Sequence, residues 1–196
     1  SFTNGSEESM VIYSQLLENE ISFWQKQNTL GNLQTVYFGG GTPSIMPVDC
    51  LAHFLSCLPL DKNAEISLEA NPATLNIQKL RALKQCGFNR ISIGLQSFHE
   101  GLLKSMGRLH DANDGMIMVE NARKAGFDNI NIDLMYGLPG QTIDIWRDTL
   151  RKAIALQTEH ISVYGLHLEE STPWGKAEAS GALLLPEEDA SLAMWQ

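Results

Sequence analysis

Cysteine is scarce in this sequence, and its positions exclude the common metal and redox motifs. Cys50, Cys57 and Cys86 are the only cysteines, and no two of them have CxxC spacing or another familiar metal-binding spacing. We therefore expect small, buried apolar residues in a reduced, cytoplasmic protein, and we assign no metal ligands within the chain.

Positive charge and long apolar runs are also in short supply. The 14 Lys and Arg residues are outnumbered by 23 Asp and Glu, so the formal net charge is −9. Nucleic-acid binding requires a basic surface, and we expect no nucleic-acid partner. No apolar run approaches the roughly 20 residues that span a bilayer, so we expect no transmembrane segment. The hydrophobic fraction of 43% is ordinary for a globular domain.

The two ends of the chain resemble cut ends. Residues 1–5 contain neither an initiator Met nor the apolar stretch of a signal peptide. Residues 192–196 have the composition of an interrupted helix. We expect residues 1–196 to be a single-domain fragment of a longer protein, truncated at both ends.

Strand and helix patterns alternate along the chain. Apolar spacing predicts helices at 7–27, 49–58, 75–85, 99–105, 112–124 and 142–156, and β-forming runs predict strands at 35–38, 65–68, 90–94, 129–134 and 161–164. This alternation implies an α/β fold with parallel strands, either a doubly wound sheet or part of a β/α barrel. In both folds, ligands bind beyond the carboxyl ends of the strands.

One helix-to-strand connection occurs twice. Residues 86–93 (CGFNRISI) and 125–132 (AGFDNINI) share a Gly-Phe pair between a predicted helix and a predicted strand. Glycine suits the left-handed residue that ends a helix, and the following Phe can pack against the last turn.

Gly-rich or polar residues follow each predicted strand. The first strand ends in Gly39, Gly40 and Gly41, a turn that matches neither the dinucleotide-binding nor the P-loop pattern. The second ends at Glu69, a carboxylate placed either to face a ligand or to cap the helix after Pro72.

Three further polar side chains lie at the end of a predicted strand or in the segment that follows it. Gln96 offers hydrogen bonds to hydroxyls or a purine edge, Arg108 offers a guanidinium to a carboxylate, and Asp133 interrupts an apolar strand. After the fourth strand, Thr142 is a plausible helix N-cap. We expect Glu69, Gln96, Arg108 and Asp133 to meet at one rim.

Five motifs, taken together, are similar to those of the radical S-adenosylmethionine (SAM) coproporphyrinogen III oxidase-like family, and within it they look more like the heme chaperone branch. These are VYFGGGTPS at 36–44, EANP at 69–72, GLQSF at 94–98, GRLH at 107–110 and DLMYGLPGQT at 133–142. The resemblance implies a partial (β/α) barrel of radical SAM type, with its first strand and cluster loop before Ser1.

The resemblance also implies cofactors and site residues. SAM would be contacted by Glu69, Gln96 and Asp133, Arg108 would neutralise its methionine carboxylate, and the turn at Gly40, Gly41 and Thr42 would line its methionine part. His167 falls where the family uses backbone contacts. The family holds a [4Fe–4S] cluster with a CxxxCxxC loop, which no cysteine here matches, so we expect those ligands N-terminal to this chain.

Three functions stay open at this point. The resemblance favours a heme chaperone that binds SAM, with a cluster in the intact parent, and delivers heme to a target protein. The alternatives are oxygen-independent coproporphyrinogen III oxidase, an oxidoreductase of porphyrin biosynthesis, and a barrel that binds a nucleotide or another small molecule without a cluster. Heme or a porphyrin is the expected partner in the first two cases. The sequence leaves open whether the chain is an enzyme.

Overall fold

The computed structural model describes residues 7–27 and 31–196. Its five strands are β1 (Leu33–Phe38), β2 (Leu60–Ala70), β3 (Arg90–Gln96), β4 (Asn129–Tyr136) and β5 (His160–Gly165). Its helices are α1 (Glu7–Lys26), α2 (Val48–Ser56), α3 (Ile77–Gln85), α4 (Glu100–Ser105), α5 (Ala112–Lys124), α6 (Ile143–Ala155), α7 (Pro173–Ala179) and α8 (Glu188–Trp195), with short 3₁₀ turns at Pro43–Ile45 and Pro72–Thr74. Residues 1–5 lie outside the described residues.

The strands form one parallel sheet whose spatial order equals their order in the sequence, β1-β2-β3-β4-β5. A doubly wound sheet would reverse its strand order partway, and this sheet does not. The structure therefore confirms the expected partial β/α barrel, as a curled half-barrel.

The two faces of the sheet differ in chemistry. Alternate strand residues such as Ile66, Ile91 and Ile132 are at most 6% exposed, and they pack with helix residues such as Leu51 and Leu80 in the apolar core. The residues between them form the opposite, concave face, and most are polar: Glu65, Ser67, Glu69, Arg90, Ser92, Asn129, Asn131, Asp133, His160, Ser162 and Tyr164. The apolar core thus lies on the helix side, which leaves the concave face available for polar chemistry.

The repeated helix-to-strand connection is confirmed. Gly87 and Gly126 have φ values of +107° and +94°, and the amide of the following Phe88 or Phe127 donates to a carbonyl five residues earlier. This is the Schellman helix ending. Both phenylalanines are at most 1% exposed, so each connection also anchors its strand to the core.

Two elements differ from the sequence-based expectation. β2 begins at Leu60 rather than at residue 65, because Leu60 pairs with Leu33 at the start of β1 despite the polar residues that follow it. The short helix α7 was not predicted; Thr172 caps it by accepting a hydrogen bond from Gly175. In the described part of the chain, no helix has both the length and the apolar character needed to cross a membrane.

The three cysteines are partly exposed rather than buried, contrary to expectation. Cys50 lies in α2, Cys57 is the C-cap of α2 and Cys86 is the C-cap of α3.

Candidate ligand-binding site at the carboxyl ends of the strands

A cavity of about 280 Å³ lies at the carboxyl ends of the strands. Glu69 and Gln96 reach it from the ends of β2 and β3, Asp133 and Tyr164 reach it from β4 and β5, and Arg108 reaches it from the end of α4. The remaining lining residues are Gly41, Thr42, Ala70, Asn71, Ser92 and Gly94. The structure therefore brings the four predicted side chains to one cavity.

Glu69 is held by two donors from β1 and the turn after it. The hydroxyl of Tyr37 donates to its Oε1 at 2.6 Å, and the amide of Gly40 donates to its Oε2 at 3.1 Å. The alternative role as a helix cap is wrong, because Asn71 and Asn76 cap the following 3₁₀ turn and α3. Glu69 is thus a positioned carboxylate at the cavity wall.

The Gly-rich turn is fastened to the loop after β2. Ser44 Oγ lies 2.6 Å from the Thr74 hydroxyl and accepts from the amide of Asn71 at 3.4 Å, while Lys79 Nζ donates to the Ser44 carbonyl at 2.6 Å. Burial lowers the pKa of Lys79. These bonds fix the turn that carries Gly40, Gly41 and Thr42 relative to Glu69.

Gln96 adopts an unusual backbone conformation at the end of β3. Its φ is +68°, it is 9% exposed, and the register with β4 shifts between Ile93 and Gln96. A left-handed residue without glycine's freedom stores strain, a common property of functional sites. A Cβ on Gly94 would lie 3.0 Å from the Gln96 amide nitrogen, so the absent side chain at 94 makes room for it.

Arg108 is positioned by a third Schellman ending, the one that terminates α4. Gly107 has φ +69°, and the Arg108 amide donates to the Leu103 carbonyl at 3.0 Å. Burial lowers the pKa of the guanidinium. No carboxylate of the described residues lies within salt-bridge distance of it. A partly buried cation of this kind favours an anionic ligand group.

Asp133 belongs to a hydrogen-bond network on the concave face. Asn131 Nδ2 donates to its Oδ1 at 2.7 Å, and Ser92 Oγ donates to its Oδ2 at 3.1 Å. Burial raises the pKa of the Asp133 carboxyl and the Glu69 charge raises it further, while the hydrogen bonds from Asn131 and Ser92 partly oppose this rise.

The network continues below the cavity. Asn131 is 2% exposed, and its Oδ1 lies 2.6 Å from His160 Nδ1 and accepts from the Ser162 hydroxyl at 3.1 Å. Sequence reasoning missed Asn131, Ser92 and His160. Their signal was the alternation of polar residues at every second strand position.

A second cavity, of about 750 Å³, adjoins the first and shares Thr42, Asn71 and Arg108 with it. Its wall is more apolar and includes Met106, Leu109, Met135, Leu166, Leu168 and Trp174. His167 lines this second cavity and not the first, and its side chain is exposed. His167 therefore shares the second cavity with Thr42 and Arg108 but does not reach the cavity that Glu69, Gln96 and Asp133 line.

These features define a half-barrel β/α protein with a polar candidate site at the carboxyl ends of its strands. The chain belongs to the radical SAM superfamily, whose sequence profile matches residues 20–153. The expected resemblance to the coproporphyrinogen III oxidase-like family and its heme chaperone branch is confirmed by the similarities that follow.

Two curated relatives and one solved structure illustrate these similarities. The chain is 35% identical over 189 residues to heme chaperone HemW of Bacillus subtilis, which covers 94% of the chain and 50% of the relative. It is 36% identical to heme chaperone HemW of Escherichia coli, over 89% of the chain and 45% of the relative. The structure of coproporphyrinogen III oxidase (HemN) from Escherichia coli, a radical SAM enzyme, matches with a TM-score of 0.81 and 28% identity, over 94% of the chain and 43% of that protein. The chain thus spans about half the length of these curated relatives.

Proposed function

We propose that the 280 Å³ cavity binds SAM, and that Glu69, Gln96, Arg108 and Asp133 are its main contacts. SAM carries a sulfonium, an ammonium and a carboxylate. The cavity presents two carboxylates and one guanidinium, so its charges mirror those of the ligand. This complementarity is the observation that carries the proposal.

Each side chain has a role that suits its surroundings. The guanidinium of Arg108 lacks a carboxylate partner within the described residues, and it would bind the methionine carboxylate in a bidentate pair. Glu69 and Asp133 would accept hydrogen bonds from the ammonium and the ribose hydroxyls, and Gln96 would contact the nucleoside. Gly40, Gly41 and Thr42 would let the ligand approach the backbone closely.

The radical SAM family implies a [4Fe–4S] cluster beside SAM, and such a cluster supplies the electron for cleavage of the sulfonium. Cysteine thiolates hold these clusters. None of Cys50, Cys57 and Cys86 lines either cavity, so the described residues do not fit a cluster and we derive no step through one.

We further propose that the chain is one domain of a cytoplasmic protein that binds heme and passes it to an acceptor protein. The relatives named heme chaperone HemW support this proposal. The larger, more apolar cavity beside the SAM site would receive the flat ring system, and Trp174 in its wall offers a stacking surface. Arg108 lies between the two cavities, and His167 would face heme rather than SAM.

Calorimetric titration of the purified chain with SAM tests the first proposal. We expect saturable binding that Arg108→Ala and Asp133→Ala each weaken by about 1–3 kcal/mol. Arg81→Ala and Asp128→Ala are matched controls, because both side chains are exposed and line neither cavity. Unchanged affinity in both site variants would contradict the assignment. Tighter binding of ATP than of SAM would instead favour a nucleotide-binding barrel without radical chemistry.

Oxygen-independent coproporphyrinogen III oxidation is the second candidate function, and the structural match to HemN favours it. Titration with hemin and with coproporphyrin III, followed by absorbance, separates the two. We expect hemin to saturate at one equivalent and to bind more tightly. A preference for the tetracarboxylate porphyrin would favour the oxidase, and an absence of hemin binding would contradict the heme proposal for this chain.

A further inference from the structure

Three side chains with metal-binding atoms converge where α1 meets α2, and none of them lines either rim cavity. Glu18 lies on α1, His53 lies on α2, and Cys57 is the C-cap residue of α2. One carboxylate oxygen, one imidazole nitrogen and the thiol sulfur all lie within 4.8 Å of one another.

We propose that Glu18, His53 and Cys57 form a zinc-binding site that joins α1 to α2. Zinc takes its ligands from nitrogen, sulfur and carboxylate oxygen, and this trio offers one of each. His53 and Cys57 are four residues apart and therefore project from the same side of their helix.

The separations of the donor atoms are close to those of a tetrahedral zinc site. His53 Nε2 lies 3.3 Å from Glu18 Oε2 and 3.9 Å from Cys57 Sγ. With Zn–N and Zn–O bonds of about 2.1 Å and a Zn–S bond of about 2.3 Å, tetrahedral angles require about 3.4 Å between N and O and about 3.6 Å between N and S. Cys57 Sγ would approach His53 Nε2 by about 0.3 Å on zinc binding, and it already lies within 4.8 Å of the Glu18 carboxylate.

A metal ion would also allow one ring nitrogen of His53 to interact with two neighbouring side chains. Its Nε2 faces both the Glu18 carboxylate and the Cys57 sulfur, but it carries only one proton or one lone pair. One ion would engage all three donors at once. The side chains of His53 and Glu18 are 53% and 46% exposed, so water can reach the ion and occupy a fourth position.

A bound zinc ion would hold α1 against α2. Val11, Ile12 and Leu16 on this helix are each more than half exposed. Besides the Glu18–His53 pair, Gln25 of α1 donates a hydrogen bond to the Cys57 carbonyl. Zinc would therefore reinforce a junction that already exists, and its binding would stabilise the docked position of α1.

Cobalt titration of the reduced, untagged and chelator-treated chain tests the proposal. Co²⁺ reports its own ligands, because a bound thiolate gives a charge-transfer band and four-coordination intensifies the visible bands. We expect one equivalent to bind with both signatures and Zn²⁺ to displace it. Each of Glu18→Gln, His53→Ala and Cys57→Ser should weaken binding at least about tenfold, and Cys57→Ser should abolish the charge-transfer band.

Cys50→Ser and Cys86→Ser are the matched controls. Each removes a thiol that is partly exposed, as that of Cys57 is, and neither changes Glu18, His53 or Cys57. Circular dichroism verifies that each variant is folded, and Zn²⁺ should raise the Tm of the unaltered chain but not that of Cys57→Ser. Cobalt binding without a thiolate band would overturn the proposal. So would a band that survives in Cys57→Ser, or a Zn²⁺-induced rise in Tm that is equal in Cys57→Ser and the unaltered chain.

Discussion

The hydroxyl of Tyr37 donates a 2.6 Å hydrogen bond to Oε1 of Glu69, across the pair formed by β1 and β2. The other carboxylate oxygen accepts the Gly40 amide, so both oxygens have a partner. Burial and the neighbouring Glu69 carboxylate raise the pKa of Tyr37, which keeps the phenol protonated as a donor. Tyr37 is therefore a positioning residue for the candidate SAM site.

Tyr37→Phe should release Glu69 and weaken SAM binding about 2- to 10-fold, the net contribution of one ordinary hydrogen bond, because Tyr37 acts on the ligand only through Glu69. Calorimetry measures this effect, and Tyr13→Phe on exposed α1 is the control. An affinity equal to that of the unaltered chain would mean that Glu69 needs no such support.

Gly39→Ala should disturb the hydrogen bond between Tyr37 and Glu69 by steric crowding. An added Cβ would collide with the Tyr37 ring and would lie 2.8 Å from Glu69 Oε1. We expect SAM affinity to fall about tenfold, since the carboxylate must move or lose its partner. Gly31→Ala is the matched control, because its Cβ would meet nothing within 4 Å. A similar affinity for both alanine variants would contradict this account.

Asp133→Asn should raise the Tm of the unliganded chain at pH 7 while weakening SAM binding. Burial raises the pKa of Asp133, so the folded state holds this proton more tightly than the unfolded state. The Asp133 carboxyl therefore contributes most to the free energy of unfolding below its pKa in the unfolded chain, about 3.9. This contribution is lost as the pH rises through the pKa of Asp133 in the folded chain.

Thermal unfolding of both proteins between pH 4 and pH 7 measures this effect. The Tm advantage of Asp133→Asn should shrink as the pH falls toward 4, because the raised pKa lets the native carboxyl take up its proton as the pH falls. An advantage that stays constant over this range would show that charge burial is not its cause.

Asn131→Ala should destabilise the fold by about 2–4 kcal/mol, because it removes at once the buried hydrogen bonds of Asn131 to Ser92, Asp133 and His160. Asn129→Ala, two residues earlier on the same face, should cost less than about 1 kcal/mol, since Asn129 is only half-buried and donates to the exposed Glu65. Urea unfolding measures both. Equal losses would mean that the concave network contributes nothing beyond an ordinary surface contact.

Local signals predicted most of the fold. The Gly-Phe connections at 87–88 and 126–127 are marked by their own residues, and the Thr142 cap is confirmed by its hydrogen bond from Ile145. The parallel arrangement followed from the alternation of strands and helices. The choice of a half-barrel over a doubly wound sheet rested on the family resemblance, because strand order depends on contacts between distant segments.

The candidate site was predictable only in part. Strand ends pointed to Glu69, Gln96 and Asp133, because each polar side chain follows an apolar run. The support from Tyr37 was not predictable, since it depends on the register between two strands. Likewise, Glu18 and His53 are distant in sequence, and only the packing of α1 beside α2 brings them together.

The helix ending with a left-handed glycine occurs after α3, α4, α5 and α7, and the residue that follows the glycine differs where the ending meets the cavity. After α3 and α5 the residue following the glycine is a core phenylalanine, whereas after α4 it is Arg108. In these three cases main-chain bonds fix the geometry, independently of that side chain. Ligand preference at position 108 could therefore change in evolution by a single substitution, on a scaffold that would not have to be rebuilt.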